Sequence, residues 1–142
     1  MRIVYDRPGF ENIHQHVVRS AMEAKVCDWL MQRRIAHRHA GEIFTVSLGP
    51  RGAASIYVPD IILHDRTKSG KIVIIEPYQV SVPKKGGTKL LAAFREQNKG
   101  QYYMIIIARR QYKKYILKGS YDAFIEIEKL DTLEKKIPLP PV

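Results

Sequence analysis

Ile72-Val73-Ile74-Ile75-Glu76 places four consecutive apolar residues, all of them β-branched, directly before an acid. Such residues favour a strand, and a strand without polar alternation is typical of a sheet that is covered on both faces. Residues 102–108, Tyr-Tyr-Met-Ile-Ile-Ile-Ala, have the same character. We therefore predict two central strands, over residues 71–82 and 102–108, in a mixed α/β sheet that is flanked by helices.

The segments on either side supply the remaining elements. Apolar residues spaced by four predict a helix over residues 11–36. Residues 42–48 and 55–63 are expected to be strands that form a meander with the first central strand. A second helix is predicted over residues 88–98, and a short lysine-bearing edge strand over residues 114–118.

A single domain over residues 1–136 accounts for this order, and the Pro-rich residues 137–142 are predicted to form a flexible tail. With 142 residues, 45% of them hydrophobic, the chain can bury a core and is too apolar for disorder. No run approaches the roughly 18 consecutive apolar residues of a membrane span, and the N-terminus lacks the apolar stretch of a signal peptide. We expect an intracellular, cytoplasmic protein with no membrane contact.

Cys27 is the only cysteine, which excludes an internal disulfide and a zinc site built from cysteines. Its place on the apolar side of the first predicted helix indicates a core residue. The pairs His14/His16 and His37/His39 are interpreted as solvated or phosphate-facing side chains.

Positive charge is concentrated in one part of the chain. The net charge is +10, and residues 84–118 hold ten Lys and Arg residues against the single acid Glu96. A basic field of this size attracts polyanions, of which nucleic acid is the commonest, although a merely solvated surface is the alternative. The predicted DNA-binding residues are Lys84, Lys85, Lys89, Arg95, Lys99, Arg109, Arg110, Lys113 and Lys114.

Three acids lie at informative positions: Glu23 in the first helix, Asp60 after Pro59, and Glu76 at the end of the apolar run. Acids within apolar strands are costly unless they are paired, hydrogen-bonded or bound to metal. A hairpin between residues 55–63 and 71–82 brings Asp60 near Glu76, and a divalent cation relieves the repulsion between two carboxylates. The alternatives are a turn residue for Asp60, an edge ion pair for Glu76 and a solvated helix acid for Glu23.

Val58-Pro59-Asp60-Ile61-Ile62, followed by Ile74-Ile75-Glu76-Pro77-Tyr78, resembles the motif of the PD-(D/E)xK nucleases. Over about residues 11–118, size and element order look most like the archaeal Holliday-junction resolvases, which are small basic homodimers. The resemblance implies a restriction-endonuclease-like fold and a homodimer that cuts DNA at junctions or branches with Mg²⁺ or Mn²⁺. Asp60 and Glu76 would be the metal ligands, and Glu23 an additional acid that acts on the metal directly or through water.

Tyr78 stands where the family has its lysine, two residues after the acid. Strand alternation places Tyr78 on the same face as Glu76 and Gln79 on the opposite face. A phenol is uncharged near neutral pH and cannot replace an ammonium beside a phosphate. If the protein cuts DNA, another lysine has to supply the charge, and Lys84, Lys85 and Lys89 are the nearest candidates.

Two other functions remain open. In the first, the chain is an inactive nuclease-fold module for DNA binding or assembly, with Tyr78 marking the lost activity. In the second, it is a structural or assembly protein with an acidic protein partner. Nucleic-acid binding weakens steeply with salt, and Mg²⁺-dependent nicking separates an enzyme from a binding module.

Overall fold

The computed structural model describes residues 10–11, 17–18, 20–80 and 87–138. Three helices and nine strands lie in these ranges, together with three short 3₁₀ helices. They are β1 (Phe10–Glu11), β2 (Val17–Val18), α1 (Ala21–Gln32), β3 (His37–His39), β4 (Phe44–Ser47), β5 (Ala54–Tyr57), β6 (Ile61–Leu63), β7 (Ile72–Pro77), α2 (Lys89–Gln97), β8 (Tyr102–Ala108), β9 (Ala123–Glu126), α3 (Leu133–Lys136) and 3₁₀ helices at Arg110–Tyr115, Lys118–Ser120 and Ile127–Thr132.

A five-stranded mixed sheet in the order β3-β6-β7-β8-β9 forms the centre of the molecule. β6 is antiparallel to both of its neighbours, β3 and β7, whereas β8 is parallel to both of its neighbours, β7 and β9. The crossover from β7 to β8 passes through α2, as a parallel connection requires. The predicted mixed α/β sheet is confirmed, and its two central strands are the two apolar runs of the sequence.

α1 and α2 cover opposite faces of this sheet, as expected. Val26 and Leu30 of α1 pack on the face that carries Ile61, Ile75 and Ile105. Phe94 of α2 packs on the other face, which carries the alternating residues of the same strands, Ile62, Ile74 and Met104. Burial on both faces explains why these strands are continuously apolar.

The predicted strand over residues 55–63 is broken into β5 and β6 by Val58-Pro59-Asp60. Pro59 has no N–H to donate to a ladder, and β5 turns away to pair with β4 in a separate two-stranded sheet. The meander prediction was therefore wrong for residues 42–48. The strand that pairs with β6 in place of residues 42–48 is β3. The chain leaves the sheet after β3 at Ala40, where φ is 47°.

α1 begins about ten residues later than the sequence pattern predicted. The Ser20 side chain accepts a hydrogen bond from the Glu23 N–H at 3.0 Å and so caps the helix. Before this cap, β1 and β2 pair with each other. Residues 12–16 and 19, which complete the predicted helix start, lie outside the described residues.

Residues 114–118 do not form the predicted edge strand. The chain forms 3₁₀ helices at Arg110–Tyr115 and Lys118–Ser120, and β9 takes the edge position. The rings of Tyr112 and Tyr115, three residues apart, lie 6.3 Å from each other, a spacing that suits a 3₁₀ turn. The second helix was predicted correctly to within one residue at each end.

The end of the described chain packs on the α1 side of the sheet. Leu130, Leu133 and Ile137 are buried there, and the Pro138 carbonyl accepts a hydrogen bond from the Lys68 N–H at 3.0 Å. Ile137 is the first residue of the predicted tail, and residues 139–142 lie outside the described part of the chain. Within residues 20–80 and 87–138, no helix has the length and apolar character needed to cross a bilayer.

Candidate functional site

The fold brings Asp60 and Glu76 together. Asp60 directly precedes β6, and Glu76 is the second-to-last residue of β7. The two strands are antiparallel neighbours in which Ile61 pairs with Ile75. The Asp60 N–H donates a hydrogen bond to Glu76 Oε1 at 3.2 Å. Two acids separated by sixteen residues thus form one carboxyl pair at the end of the hairpin.

Glu76 is only 8% exposed. Burial raises the pKa of its carboxyl well above the usual value, and the nearby negative charge of Asp60 raises this pKa further. The pair therefore keeps a proton at pH values at which an exposed glutamate has lost it. A divalent cation that enters the pair replaces this proton.

Tyr57, at the end of β5, is a site residue that the sequence patterns do not indicate. Its buried hydroxyl donates a hydrogen bond to Glu76 Oε1, and this bond opposes the rise in the pKa of Glu76. The ring of Tyr57 packs against that of Phe94, with 4.6 Å between the ring centroids. α2 thereby holds the phenol in place over the carboxyl pair.

Tyr57→Phe is expected to raise the pKa of Glu76 further, because the variant removes a hydrogen bond that favours the charged carboxylate. A titration of the labelled glutamate carboxyl carbons by NMR measures this change. Tyr103→Phe is the matched control, since that hydroxyl donates to the Lys136 carbonyl at 3.1 Å, away from the pair. An unchanged or lowered pKa of Glu76 in Tyr57→Phe would contradict the role of the phenol.

Asp60 and Glu76 line an open cleft of about 420 Å³, whose wall includes Tyr78, Gln79 and Leu90. Burial raises the pKa of the half-buried Tyr78 phenol, so this side chain is neutral at physiological pH. Gln79 does not point away from the cleft as predicted, because β7 ends at Pro77 and strand alternation stops there. Its Oε1 accepts a hydrogen bond from the Met22 N–H at 2.7 Å, which joins the cleft wall to α1.

Of the three lysines proposed to replace the missing ammonium, only Lys89 lies in the described residues; Lys84 and Lys85 lie outside them. Lys89 is exposed at the first position of α2. The next two residues, Leu90 and Leu91, line the cleft. Lys89 thus begins the helix that forms part of the cleft wall.

The other predicted DNA-binding residues differ in their surroundings. Arg95 is held within the protein, where it donates to Asp122 at 2.6 Å and to the Gly119 carbonyl at 3.3 Å. Arg95 thereby connects α2 to the segment that precedes β9. The remaining five are exposed, and several of them lie near acids or aromatic rings: Lys99, Arg109, Arg110, Lys113 and Lys114.

Glu23 is fully buried and faces β3 from the first turn of α1. Its Oε2 lies 2.9 Å from Nδ1 of His39, which is 2% exposed. Burial lowers the pKa of His39 to about 4, although the negative charge of Asp60 raises it. The imidazole is therefore neutral at physiological pH, and its Nδ1 forms a hydrogen bond with the Glu23 carboxyl group.

Cys27 and two histidines form a second cluster next to Glu23. Cys27 Sγ lies 3.1 Å from His37 Nε2 and 3.2 Å from His39 Nε2. The interpretation of Cys27 as a simple core residue was incomplete, and that of His37 and His39 as solvated or phosphate-facing was wrong. The signal that could have found the cluster is the His-x-His spacing on a strand, which puts both rings on one face.

Comparison of the chain with models of protein families, with curated proteins and with solved structures finds no match. The carboxyl pair offers oxygen ligands for a hard divalent cation in a cleft that is open to a large substrate. The Cys/His cluster offers sulfur and nitrogen ligands instead, for a softer metal.

Proposed function

We propose that the protein is a metal-dependent DNA endonuclease, directed by the structure of junction or branched DNA, that hydrolyses phosphodiesters at the Asp60–Glu76 pair. The observation that carries this proposal is the buried Glu76 carboxyl beside Asp60 in an open cleft. Two carboxylates at low dielectric cost free energy that a bound Mg²⁺ or Mn²⁺ recovers.

The order of elements supports a restriction-endonuclease-like fold for this function. α1 is followed by the antiparallel strands β3, β6 and β7, then by α2 and the parallel strand β8. The carboxyl pair lies between the second and third strands of this series, where the resemblance to PD-(D/E)xK nucleases expects its two acidic ligands. The β4–β5 hairpin lies along the chain between the first two strands of this series.

In this mechanism, Asp60 and Glu76 would hold the cation in place of their shared proton. A cation held there would polarise the scissile phosphate and lower the pKa of an attacking water. Tyr57 keeps Glu76 Oε1 in place through its hydroxyl. Glu23, proposed from the sequence as an additional acid, has its Oε2 2.9 Å from His39 Nδ1, and the negative charge of Asp60 raises the pKa of this histidine. Its proposed influence on the site is therefore electrostatic.

A lysine is expected to assist at the phosphate, since Tyr78 is neutral and the transition state concentrates negative charge there. One of Lys84→Ala, Lys85→Ala and Lys89→Ala should lower the cleavage rate by about 100-fold while affinity for DNA changes far less. Lys99→Ala, at the other end of α2, is the matched control and should only weaken binding and reduce the salt slope by about one. The lysine hypothesis fails if all three variants cut at the wild-type rate while Asp60→Asn does not.

The exposed basic residues after β8 are proposed to hold the DNA backbone. Lys113 and Lys114 lie near the rings of Phe124 and Tyr115, so this surface presents charge together with aromatic rings. Contacts of this kind bind phosphates and stack on bases without reading sequence. The homodimer that the sequence resemblance implies stays a prediction.

Cleavage of branched, nicked and linear DNA of the same sequence tests the proposed function. We expect nicking of branched DNA that requires Mg²⁺ or Mn²⁺ and stops with a chelator. Salt-sensitive DNA binding without cleavage in any divalent metal would instead establish the inactive DNA-binding module. The observation that favours this alternative is Tyr78 at the position of the catalytic lysine. Absence of DNA binding at low salt would overturn both and favour an acidic protein partner.

A further inference from the structure

Two imidazole nitrogens point at one sulfur between α1 and β3. Cys27 is fully buried, and its Sγ is 3.1 Å from His37 Nε2 and 3.2 Å from His39 Nε2. The three ligand atoms all lie within 4.8 Å of one another. From this convergence we propose that Cys27, His37 and His39 form a zinc site that is separate from the Asp60–Glu76 pair. The single cysteine excludes a site built from several cysteines, whereas this mixed site takes two of its ligands from histidines.

In both imidazole rings, the nitrogen that does not face Cys27, Nδ1, lies within hydrogen-bond distance of an oxygen atom. His37 Nδ1 lies 2.9 Å from the Ile35 carbonyl, which can only accept, so Nδ1 carries the proton. His39 Nδ1 lies 2.9 Å from the Glu23 carboxylate. An ionised Glu23 carboxylate can only accept, and the tautomer with the proton on Nδ1 leaves the Nε2 lone pair of each ring directed at the sulfur. Metal-binding histidines are oriented in this way, with the second nitrogen donating to a carboxylate or a carbonyl.

A cation placed among the three ligand atoms is coordinated by all of them at once. A thiolate ligand also compensates part of the charge that the ion brings into a buried site.

The donor set selects a transition metal over a hard cation, and Zn²⁺ is the proposed ion. One thiolate and two imidazoles suit Zn²⁺, whereas Mg²⁺ and Ca²⁺ take oxygen ligands. With Zn–S near 2.3 Å and Zn–N near 2.0 Å, sulfur and nitrogen ligands of a tetrahedral ion lie about 3.5 Å apart. The two Cys27–imidazole distances would need to grow by about 0.4 Å, a shift that side-chain rotation provides.

The cluster lies on the other face of the sheet from the carboxyl pair. His37 and His39 pair in register with Leu63 and Ile61, which belong to the core on the α1 side. Tyr57, which contacts Glu76, belongs to the core on the α2 side. Zinc would therefore bind α1 to the edge strand β3, whose one strand neighbour among the described residues is β6.

Metal analysis of the whole chain, expressed with added Zn²⁺ and dialysed, tests the proposal. We expect one Zn²⁺ per chain in the wild type and loss of this equivalent in Cys27→Ser and His37→Ala. His64→Ala, which removes an exposed histidine, should keep the ion. Asp60→Asn should also keep it, so the result is independent of whether the nuclease proposal holds.

Cobalt replacement makes the test independent of variant folding. Wild-type protein reconstituted with Co²⁺ should show a sulfur-to-cobalt charge-transfer band and the visible bands of a tetrahedral ion. A wild type that binds no Zn²⁺, or a Co²⁺ spectrum without the sulfur band, would overturn the assignment. Retention of the full zinc equivalent in folded Cys27→Ser would overturn it as well.

Discussion

Asp60→Asn and Glu76→Gln are each expected to lower the rate of Mg²⁺-dependent DNA cleavage by more than about 100-fold, with DNA affinity nearly unchanged. Loss of a residue that only supports a metal ligand already costs about 10- to 100-fold, and these two residues are the proposed ligands themselves. Asp60→Asn leaves Glu76 with an amide neighbour, and Glu76→Gln leaves Asp60 as a single carboxylate. Single-turnover cleavage together with a binding titration separates the two effects.

Asp65→Asn is the matched control for these variants, because Asp65 is exposed in the β6–β7 hairpin and belongs to the same local sequence. It should cut at the wild-type rate. Glu76→Gln should also become more stable than the wild type as pH rises. The raised pKa of Glu76 gives the folded state stability at low pH that is lost as pH rises through this pKa, and glutamine does not titrate. Cleavage at the wild-type rate by either ligand variant would contradict the site.

Phe94→Ala is expected to destabilise the protein by about 3–5 kcal/mol, the usual cost of a large cavity at a buried aromatic. Phe94 is fully buried on the α2 face of the sheet. Its ring centroid lies 4.9 Å from that of Phe44, 4.6 Å from Tyr57 and 5.0 Å from Tyr102. Truncation therefore removes contacts among α2, the β4–β5 hairpin and the central sheet at one point.

Denaturation by urea measures this loss as a lower midpoint. Phe94→Leu fills most of the cavity and should cost less than Phe94→Ala, whereas Leu48→Ala, at an exposed apolar residue, should change stability by less than about 0.5 kcal/mol. A Phe94→Ala variant as stable as the wild type would contradict the packing of α2 against Tyr57. Such a result would also contradict the role of α2 in positioning Tyr57 beside the carboxyl pair.

The sequence predicts those helices and strands whose order of apolar and polar residues reflects which of their faces are buried. β7 and β8 are continuously apolar because helices cover both of their faces, and α2 shows its period and its ends locally. β3 could not be found in this way, because His37-Arg38-His39 is polar and becomes a strand through pairing with β6. The separation of β4 and β5 from the main sheet depends on the break at Pro59 and on long-range packing.

The candidate site divides in the same way. Asp60 and Glu76 were expected to meet because a single hairpin joins them, and the structure brings them together. Tyr57 reaches Glu76 only because β5 folds over α2, a contact that no local pattern encodes. The Cys27 cluster depends in turn on α1 packing against β3, which the sequence patterns did not identify as a strand.

Titration of Mn²⁺ into the Cys27→Ser protein, with and without Asp60→Asn, is the most direct test of the carboxyl pair as a metal site. The Cys27→Ser background removes the proposed zinc ligand from the measurement. We predict that at least one Mn²⁺ binds, more tightly as pH rises and with release of a proton, and that Asp60→Asn abolishes this binding. Equal Mn²⁺ binding with and without Asp60→Asn would contradict the account.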